Sequence, residues 1–155
     1  AVYLIKKINN MRLTGKIVEI GCGLGDILSG LKTRNKVGYD VDKTVIRAAK
    51  WIHPFIKTYV GSFGDICGEE ISLLITVNFL FSVDEDIFQK YFKAITTQNN
   101  ISRIVVDDVP CPPYTYYHDY IGFFKSIGYR LEYKSKGFGA VGGRRHLLFF
   151  RRIME

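Results

Sequence analysis

Residues 16–26 of the chain read KIVEIGCGLGD, and this stretch decides the fold class. Its first half, Lys16–Ile20, is a short apolar run typical of a buried strand. Gly21, Gly23 and Gly25 follow at once, and Asp26 opens a segment with helical spacing of apolar residues. Because glycines between a strand and a helix let a ligand approach the backbone closely, we expect a binding loop here.

Strands and helices alternate on either side of this stretch. Further strands are predicted at 36–40, 56–60, 71–77, 101–107, 129–134 and 146–153, and helices at about 2–9, 26–32, 43–53, 85–95 and before residue 127. Residues 82–85, SVDE, match a capping box that would begin the helix after the fourth strand. No helix separates the last two strands, so they must pair or neighbour as an antiparallel hairpin.

This order predicts one α/β domain over residues 1–155, with residues 1–14 as a short N-terminal helix and lead-in. The expected architecture is a doubly wound, Rossmann-like, mostly parallel seven-stranded sheet whose last strand is reversed. In such sheets, ligands bind outside the carboxyl ends of the strands.

Two classes of ligand compete for the glycine loop. Dinucleotide-binding loops read G-x-G-x-x-G, but Asp26 stands at the third glycine and would set a carboxylate near a pyrophosphate. S-adenosylmethionine (SAM) has no phosphate and carries a cationic sulfonium and an amino group. The acids Glu19 and Asp26 suit SAM better than a dinucleotide.

The pattern E-x-G-x-G-x-G at residues 19–25 resembles motif I of the class I SAM-dependent methyltransferases. The resemblance implies that SAM, and its product S-adenosylhomocysteine, lie against Glu19, Gly21, Cys22, Gly23 and Gly25. The predicted reversed final strand is also similar to that family.

Asp40 ends the second strand, where that family carries an acid that accepts hydrogen bonds from both ribose hydroxyls. Val41 would then flank the adenine. The family often has Gly-Asp after the third strand, the Asp binding the adenine amine. Here either Ser62 or Asp65 takes that position, and the sequence leaves the choice open.

Residues 78–83, NFLFSV, resemble the family's N-x-L-x-H-[IV] stretch after the fourth strand. Ser82 stands for the usual His and Phe81 for the usual Glu. The match implies that Asn78 and Phe79 belong to the cofactor site.

Residues 106–112, VDDVPCP, are similar to the stretch after the fifth strand in catechol-type O-methyltransferases, where Asp-Asn binds a divalent metal. That resemblance implies Mg²⁺ held by Asp107, Asp108 and Asn78. The alternative, strand-end carboxylates that cap a turn, is favoured because Asn78 replaces an Asp. No metal site is therefore predicted, although Mg²⁺ stays open.

His118 and Asp108 are the candidate catalytic residues. A histidine can deprotonate a hydroxyl or an amine near neutral pH, whereas the alternative is a capped histidine on a helix. Residues 111–114, CPPY, resemble the [DNS]-P-P-[YF] motif of amino-methyltransferases, but they follow the fifth strand rather than the fourth and are interpreted as a turn.

Residues 137–143 hold four glycines and form either a lid over the substrate or a plain hairpin loop. Arg144, Arg145 and His146 at its end could hold an anionic group of the substrate.

Composition limits the possible partners and the cellular location of the protein. The net charge of +7 suits an anionic substrate or nucleic acid, and it also fits a basic solvated surface. No apolar run is long enough for a membrane span, and residues 1–10 lack the apolar region of a signal peptide. The three scattered cysteines indicate the reduced cytoplasm.

We therefore expect a SAM-dependent methyltransferase acting on a hydroxyl of a small molecule or saccharide. The alternatives are an RNA or protein methylase that uses the basic surface, and a non-catalytic methyltransferase-like subunit of a larger assembly. An oligomer or a partner subunit is open, and nucleic acid is not the favoured partner.

Overall fold

The computed structural model describes residues 1–109, 116–139 and 144–153. Its strands form one sheet in the order β3-β2-β1-β4-β6-β8-β7, with the short β5 paired to β4. The strands are β1 (Lys16–Ile20), β2 (Lys36–Asp40), β3 (Lys57–Val60), β4 (Glu70–Thr76), β5 (Asn100–Ile101), β6 (Arg103–Asp108), β7 (Tyr129–Lys134) and β8 (His146–Arg152).

Strand directions confirm the predicted reversal. The pairs from β3 through β2, β1 and β4 to β6 are parallel, whereas β8 is antiparallel to both β6 and β7. The predicted fifth strand is divided at Ser102, whose N–H donates to Ile71 O at 2.8 Å between β5 and β6. The carboxyl ends of the parallel strands therefore share one edge with the start of β8.

Among the described residues, five α-helices cover the two faces of the sheet. They are α1 (Val2–Asn10), α2 (Asp26–Gly30), α3 (Lys43–Ile52), α4 (Glu85–Gln98) and α5 (Tyr120–Ser126). Apolar residues of α1, α2 and α3 pack on one face and those of α4 and α5 on the other, which is the predicted doubly wound arrangement. The helix α2 is shorter than predicted because Leu31 has an extended backbone.

The predicted capping box at residues 82–85 is wrong. Ser82 lies in a 3₁₀ turn, Leu80–Ser82, and its hydroxyl donates to Phe79 O at 2.6 Å. Asp84 caps α4 instead, since its Oδ1 accepts from Ile87 N at 2.9 Å. Asp and Ser are about equally good helix caps. Asp84 caps the helix because the Ser82 hydroxyl is already bonded to Phe79 O.

The central strand β4 is buried on both faces, as its apolar run predicts. Leu73, Leu74 and Ile75 have no exposed surface, and they contribute to the cores on both sides of the sheet. Within the part of the chain that the structure describes, no helix combines the length and the apolar character that crossing a membrane requires.

Candidate functional site

The glycine loop after β1 has a backbone that favours glycine at three positions. Gly21, Gly23 and Gly25 have φ values of 72°, 54° and 86°, in the left-handed region. The N–H groups of Gly21 and Cys22 both donate to Tyr39 O, at 2.8 and 3.0 Å. The loop is thereby held against the end of β2.

Gly21 and Gly23 face different surroundings. A Cβ on Gly21 would lie 2.7 Å from the Phe79 ring, whereas a Cβ on Gly23 would have no atom within 4 Å. Gly21 is therefore required by packing of the loop against the residues after β4. Gly23 leaves open space above its backbone, where a ligand can approach.

Cys22 contributes its side chain to the core. Its Sγ lies 2.7 Å from where a Cβ of Gly38 would stand, and the residue is buried among the apolar side chains of α1 to α3. Burial, with the negative charges of Glu19 and Asp40, raises the pKa of the thiol to about 12. The structure thus brings the backbone of Cys22, rather than its thiol, to the loop.

Glu19 is a buried carboxyl group without a partner for one of its oxygens. The residue is 2% exposed, and its Oε2 has no hydrogen-bond partner among the described residues. Burial, reinforced by the nearby charges of Asp26 and Asp40, raises its pKa to about 8. A cation placed beside Glu19 would offset both causes and stabilise the ionised form.

Asp40 connects the loop to the end of β2. Its Oδ2 accepts from Gly23 N and its Oδ1 from Asp42 N, each at 3.0 Å. Since a carboxylate has about four acceptor positions, two remain for a ligand's hydroxyl groups. Val41, the next residue, is 74% exposed and presents an apolar surface beside them.

Ser62 and Asp65, which the sequence offered as alternatives, belong to one turn. The Asp65 carboxylate accepts from Ser62 N at 2.8 Å and completes a capping box around the 3₁₀ turn Phe63–Asp65. Gly61 N donates to Asp40 O at 3.0 Å, which ties this turn to the end of β2. Both residues therefore lie at the same edge as Asp40.

Asn78 and Asp107 meet Arg145 at the carboxyl ends of β4 and β6. Asn78 N donates to Asp107 Oδ1 at 2.9 Å, and Arg145 Nη2 donates to Asp107 Oδ2 at 2.5 Å. The same guanidinium contacts Asn78 Oδ1. Asp107 is 1% exposed, and burial raises its pKa while the Arg145 charge opposes the rise.

Sequence reasoning missed this ion pair and treated Arg145 as free to bind an anion. The pairing depends on the β6–β8 register, in which Asp107 lies opposite Leu147 and Asp108 opposite His146. The only sequence signal is an acid at the end of one strand and a base before another.

The structure does not assemble the Mg²⁺ ligands that the resemblance implied. Asp107 and Asp108 are successive residues of β6, so their side chains point to opposite faces of the sheet. The Arg145 guanidinium already contacts the side-chain oxygens of Asp107 and Asn78. Across residues 1–109, 116–139 and 144–153, no group of three or more His, Cys, Asp and Glu residues could hold a metal ion.

His118 is buried, with both ring nitrogens engaged. Its Nδ1 lies 2.6 Å from Glu85 Oε2, its Nε2 lies 2.9 Å from Leu80 O, and its ring stacks on Phe88 at 4.4 Å. Burial raises the pKa of Glu85, but hydrogen bonds from Gln89 and His118 outweigh it and the pKa is lowered. Since both ring nitrogens have partners within the protein, this geometry favours a structural role over that of a base.

Asp108 is the other candidate base, and it is half-buried at the end of β6. Burial raises the pKa of this carboxyl group, while the positive charges of Lys134 and His146 oppose the rise. His146 lies opposite Asp108 in the strand register, and its Nδ1 donates to Ser135 O at 2.9 Å.

Two predicted features fall outside the described residues. The CPPY stretch at 111–114 lies wholly outside them, as do residues 140–143 of the glycine-rich loop. At the near ends of that loop, Phe138 and Arg145 form an antiparallel bridge, and Arg144 is exposed.

Charge divides the carboxyl edge of the sheet into two parts. The part over β1 to β3 carries the acids Glu19, Asp26, Asp40, Asp42 and Asp65, and we call it the cofactor end. The part over β4, β6 and β7, with the start of β8, carries Lys134, Lys136 and Arg144 as exposed bases beside the acids Asp108 and Asp119, and we call it the acceptor end. A cationic ligand suits the first part, and an anionic ligand suits the second.

Known structures share this fold. A TehB-like SAM-dependent methyltransferase from Corynebacterium glutamicum superposes with a TM-score of 0.75 at 21% identity, covering 97% of this chain and 87% of that one. The N-methyltransferase NodS from Bradyrhizobium japonicum has a TM-score of 0.78 at 14% identity, covering 97% and 93%. Magnesium protoporphyrin IX methyltransferase from Synechocystis, solved with bound SAM, has a TM-score of 0.77 at 11% identity, covering 98% and 77%.

Comparison of the sequence alone finds no related family or protein. No protein-family model matches the chain. No curated protein matches it either. The structural matches confirm the predicted fold: this chain has the Rossmann-like fold of SAM-dependent methyltransferases.

Proposed function

We propose that this chain, which has the fold of SAM-dependent methyltransferases, binds SAM at the cofactor end and transfers its methyl group to a hydroxyl of an anionic small molecule or saccharide. The observation that carries the cofactor assignment is Glu19. It is a buried carboxyl group with an unpartnered oxygen beside a glycine loop that is open at Gly23. Such a group favours a ligand that brings positive charge and disfavours a pyrophosphate.

The remaining residues of the cofactor end fit the other parts of SAM. The free acceptor positions of Asp40 suit the two ribose hydroxyls, and exposed Val41 suits one face of the adenine. The turn that contains Ser62 and Asp65 supplies a hydroxyl and a carboxylate for the adenine amine. Glu19 would act on the cationic methionine part, since it lies before the loop rather than at the end of β2.

The acceptor is proposed to carry a negative charge because three exposed bases lie at the acceptor end. Lys134, Lys136 and Arg144 are exposed there, and the buried acid Asp107 is already paired with Arg145. A carboxylate or phosphate on the acceptor could bind these side chains while its hydroxyl group points toward the cofactor end.

Asp108 is the proposed general base. Burial raises the pKa of its carboxyl group, which makes it a stronger base toward an acceptor hydroxyl than an exposed aspartate. When bound, SAM supplies a methyl group on a positively charged sulfur, which needs a well-placed nucleophile more than it needs other help. The main task of the protein is to hold the acceptor oxygen in line with that methyl group.

Transfer of a radioactive methyl group from SAM tests the proposal. The acceptors would be matched neutral, carboxylated and phosphorylated sugars, with RNA and bulk protein assayed in parallel. We expect transfer to the anionic sugars, a lower kcat for Asp108→Asn, and a KM for anionic acceptors that rises in Lys136→Ala. Labelling of RNA or protein alone would contradict the acceptor class, and binding of SAM without any transfer would indicate a non-catalytic subunit.

We also propose a cytoplasmic location on the basis of the cysteine pattern, and a partner subunit or a second copy stays a prediction. Size-exclusion chromatography with light scattering on the purified chain would test the oligomeric state.

A further inference from the structure

A groove lies on the flank of the sheet where β2 and β3 begin. It lies between the end of α2, the entry to β2 and the loop after α3, and its volume is about 680 Å³. Its walls include Lys32, Arg34, Lys36, His53 and Phe55. We call this surface the amino-end groove, and nothing in the proposed methyl transfer uses it.

The groove is basic. Lys32 and Arg34 are exposed on its wall, and none of the described residues that line it is acidic. The ammonium group of Lys36 donates to Leu31 O at 2.6 Å, and burial lowers its pKa. Lys32, Arg34 and Lys36 thus line one concave surface and form no ion pair with any described residue, whereas His53 on the same wall lies 3.6 Å from the Asp26 carboxylate. A polyanion would offset the mutual repulsion of the three cations.

Aromatic side chains stand beside these cations without a protein partner surface. Phe55 is 98% exposed and lines the groove, and Trp51 is 88% exposed one residue before Ile52, another lining residue. Leaving two large rings in water is unfavourable for a protein that uses them only for its own stability. Flat rings next to positive charges are the combination on which single-stranded nucleic acids stack their bases while the phosphates meet the cations.

We propose that the amino-end groove binds a single-stranded nucleic acid. Its phosphates would contact Lys32, Arg34 and Lys36, and its bases would stack on Phe55 and Trp51.

Other occupants fit the surface less well. A second copy of this chain would bring like charges together, since Lys32, Arg34 and Lys36 line the groove and Lys50 and Lys57 are close to it in sequence. A flat lipid surface could reach the exposed rings, but the apolar face of α3, with Ile46 and Ala49, is already buried against the sheet. A concave wall of cations is instead suited to a strand that enters it.

Trp51 is the only tryptophan of the chain and precedes the lining residue Ile52, so its fluorescence serves as a reporter next to the groove. The test is titration of the purified chain, without SAM, with a single-stranded DNA of about 12 nucleotides, a length within the range of known single-strand sites. We expect saturable quenching by stacking, and an affinity that falls steeply as salt rises. Because SAM is absent, failure here leaves the methyltransferase proposal untouched.

Matched variants separate the groove from general charge. Arg34→Glu should weaken binding at least about tenfold. It should also reduce the slope of log affinity against log salt concentration by about one, the value for one phosphate contact. Lys90→Glu changes the net charge equally on an exposed site of α4, which packs on the other face of the sheet, and should leave affinity within about twofold. Phe55→Ala should weaken binding at least about fivefold through lost stacking.

Three outcomes would overturn the proposal. They are an absence of quenching, equal losses in Arg34→Glu and Lys90→Glu, or heparin binding as tightly as the DNA with no effect of Phe55→Ala. A Trp51 blue shift on anionic phospholipid vesicles, without DNA binding, would assign the surface to membranes instead.

Discussion

Glu19 and Asp107 are both carboxyl groups near the carboxyl ends of parallel strands, and they are buried to nearly the same degree, at 2% and 1% exposure. Asp107 has its partners within the protein, because Asn78 N and Arg145 bind its two oxygens. Glu19 has an oxygen without any such partner in the described chain. Equal burial with unequal pairing distinguishes a carboxylate paired within the protein from one that we propose pairs with a ligand.

The largest expected effect follows from removing the cation that pairs with Asp107. Arg145→Met keeps much of the side-chain stem but leaves Asp107 buried and unpaired, and we expect a loss of about 2–4 kcal/mol in the free energy of unfolding. The lower end reflects the partial exposure of the Arg145 side chain, 28%. Urea unfolding at neutral pH measures the change.

The double variant Asp107→Asn with Arg145→Met is the control. It removes the unpaired charge and should recover part of the lost stability. A loss below about 1 kcal/mol in Arg145→Met would mean that the ion pair does not stabilise the acceptor end.

Asp40→Ala should weaken cofactor binding by about 1–3 kcal/mol, since hydrogen bonds from two hydroxyls to a charged acceptor are lost. Isothermal titration with S-adenosylhomocysteine measures this. Asp42→Asn is the matched control, because it removes a neighbouring charge while Asn still caps α3, whose first amides Asp42 Oδ1 accepts. Equal affinity of Asp40→Ala and wild type would exclude Asp40 from the ribose site.

Glu19 predicts a pH dependence of SAM affinity. Its pKa of about 8 in the free protein means that SAM must displace a proton at lower pH. Affinity should therefore rise about tenfold, or 1.4 kcal/mol, per pH unit as pH approaches 8. Glu19→Gln should bind more weakly at pH 8 and show no such rise; a wild-type affinity that is flat from pH 6 to 8 would contradict the role of Glu19.

The same group gives a stability test without ligand. Glu19 has a pKa of about 8 in the folded chain against an ordinary pKa of 4.5, so the folded chain keeps a proton that the unfolded chain releases. The contribution of this bound proton to the free energy of unfolding is fully present below pH 4.5 and is lost as pH rises through 8. Urea unfolding as a function of pH measures this fall in the free energy of unfolding. Glu19→Gln should remove the part that Glu19 causes, whereas an unchanged pH dependence would mean that other groups cause the fall.

The smallest effect distinguishes two glycines of one loop. Both Gly21→Ala and Gly23→Ala carry the penalty of a left-handed backbone. Only Gly21→Ala also meets the Phe79 ring, so it should lower folding stability by about 1 kcal/mol more than Gly23→Ala. Gly23→Ala fills the open side and should weaken cofactor binding more than its loss of stability explains. Thermal unfolding and titration of both variants measure the two effects, and a reversed order of stability would contradict this account.

The strands of the cofactor end were largely predictable because their determinants are local. Bounds of β1 and β2 match the prediction residue for residue, and Glu19, Gly23 and Asp40 come from one short stretch. Strand alternation alone predicted the doubly wound sheet and its reversed strand. The choice between Ser62 and Asp65 could not be made because both belong to one turn, which only the backbone geometry reveals.

The acceptor end was less predictable because its contacts join distant segments. Arg145 meets Asp107 only through the register of β8 on β6, and Asp107 lies 38 residues away in sequence. The same holds for His118, because its partners Leu80 and Glu85 lie in the segment that follows β4, more than 30 residues earlier in the sequence. Residue types and spacing carry no information on such pairings until the sheet order is known.

Calorimetric titration of the purified chain with S-adenosylhomocysteine, with NAD titrated in parallel, tests the central claim most directly. This account predicts micromolar binding of S-adenosylhomocysteine and none of NAD. Binding of NAD, or of neither compound, would contradict the assignment of Glu19, Asp40 and the glycine loop as a SAM site.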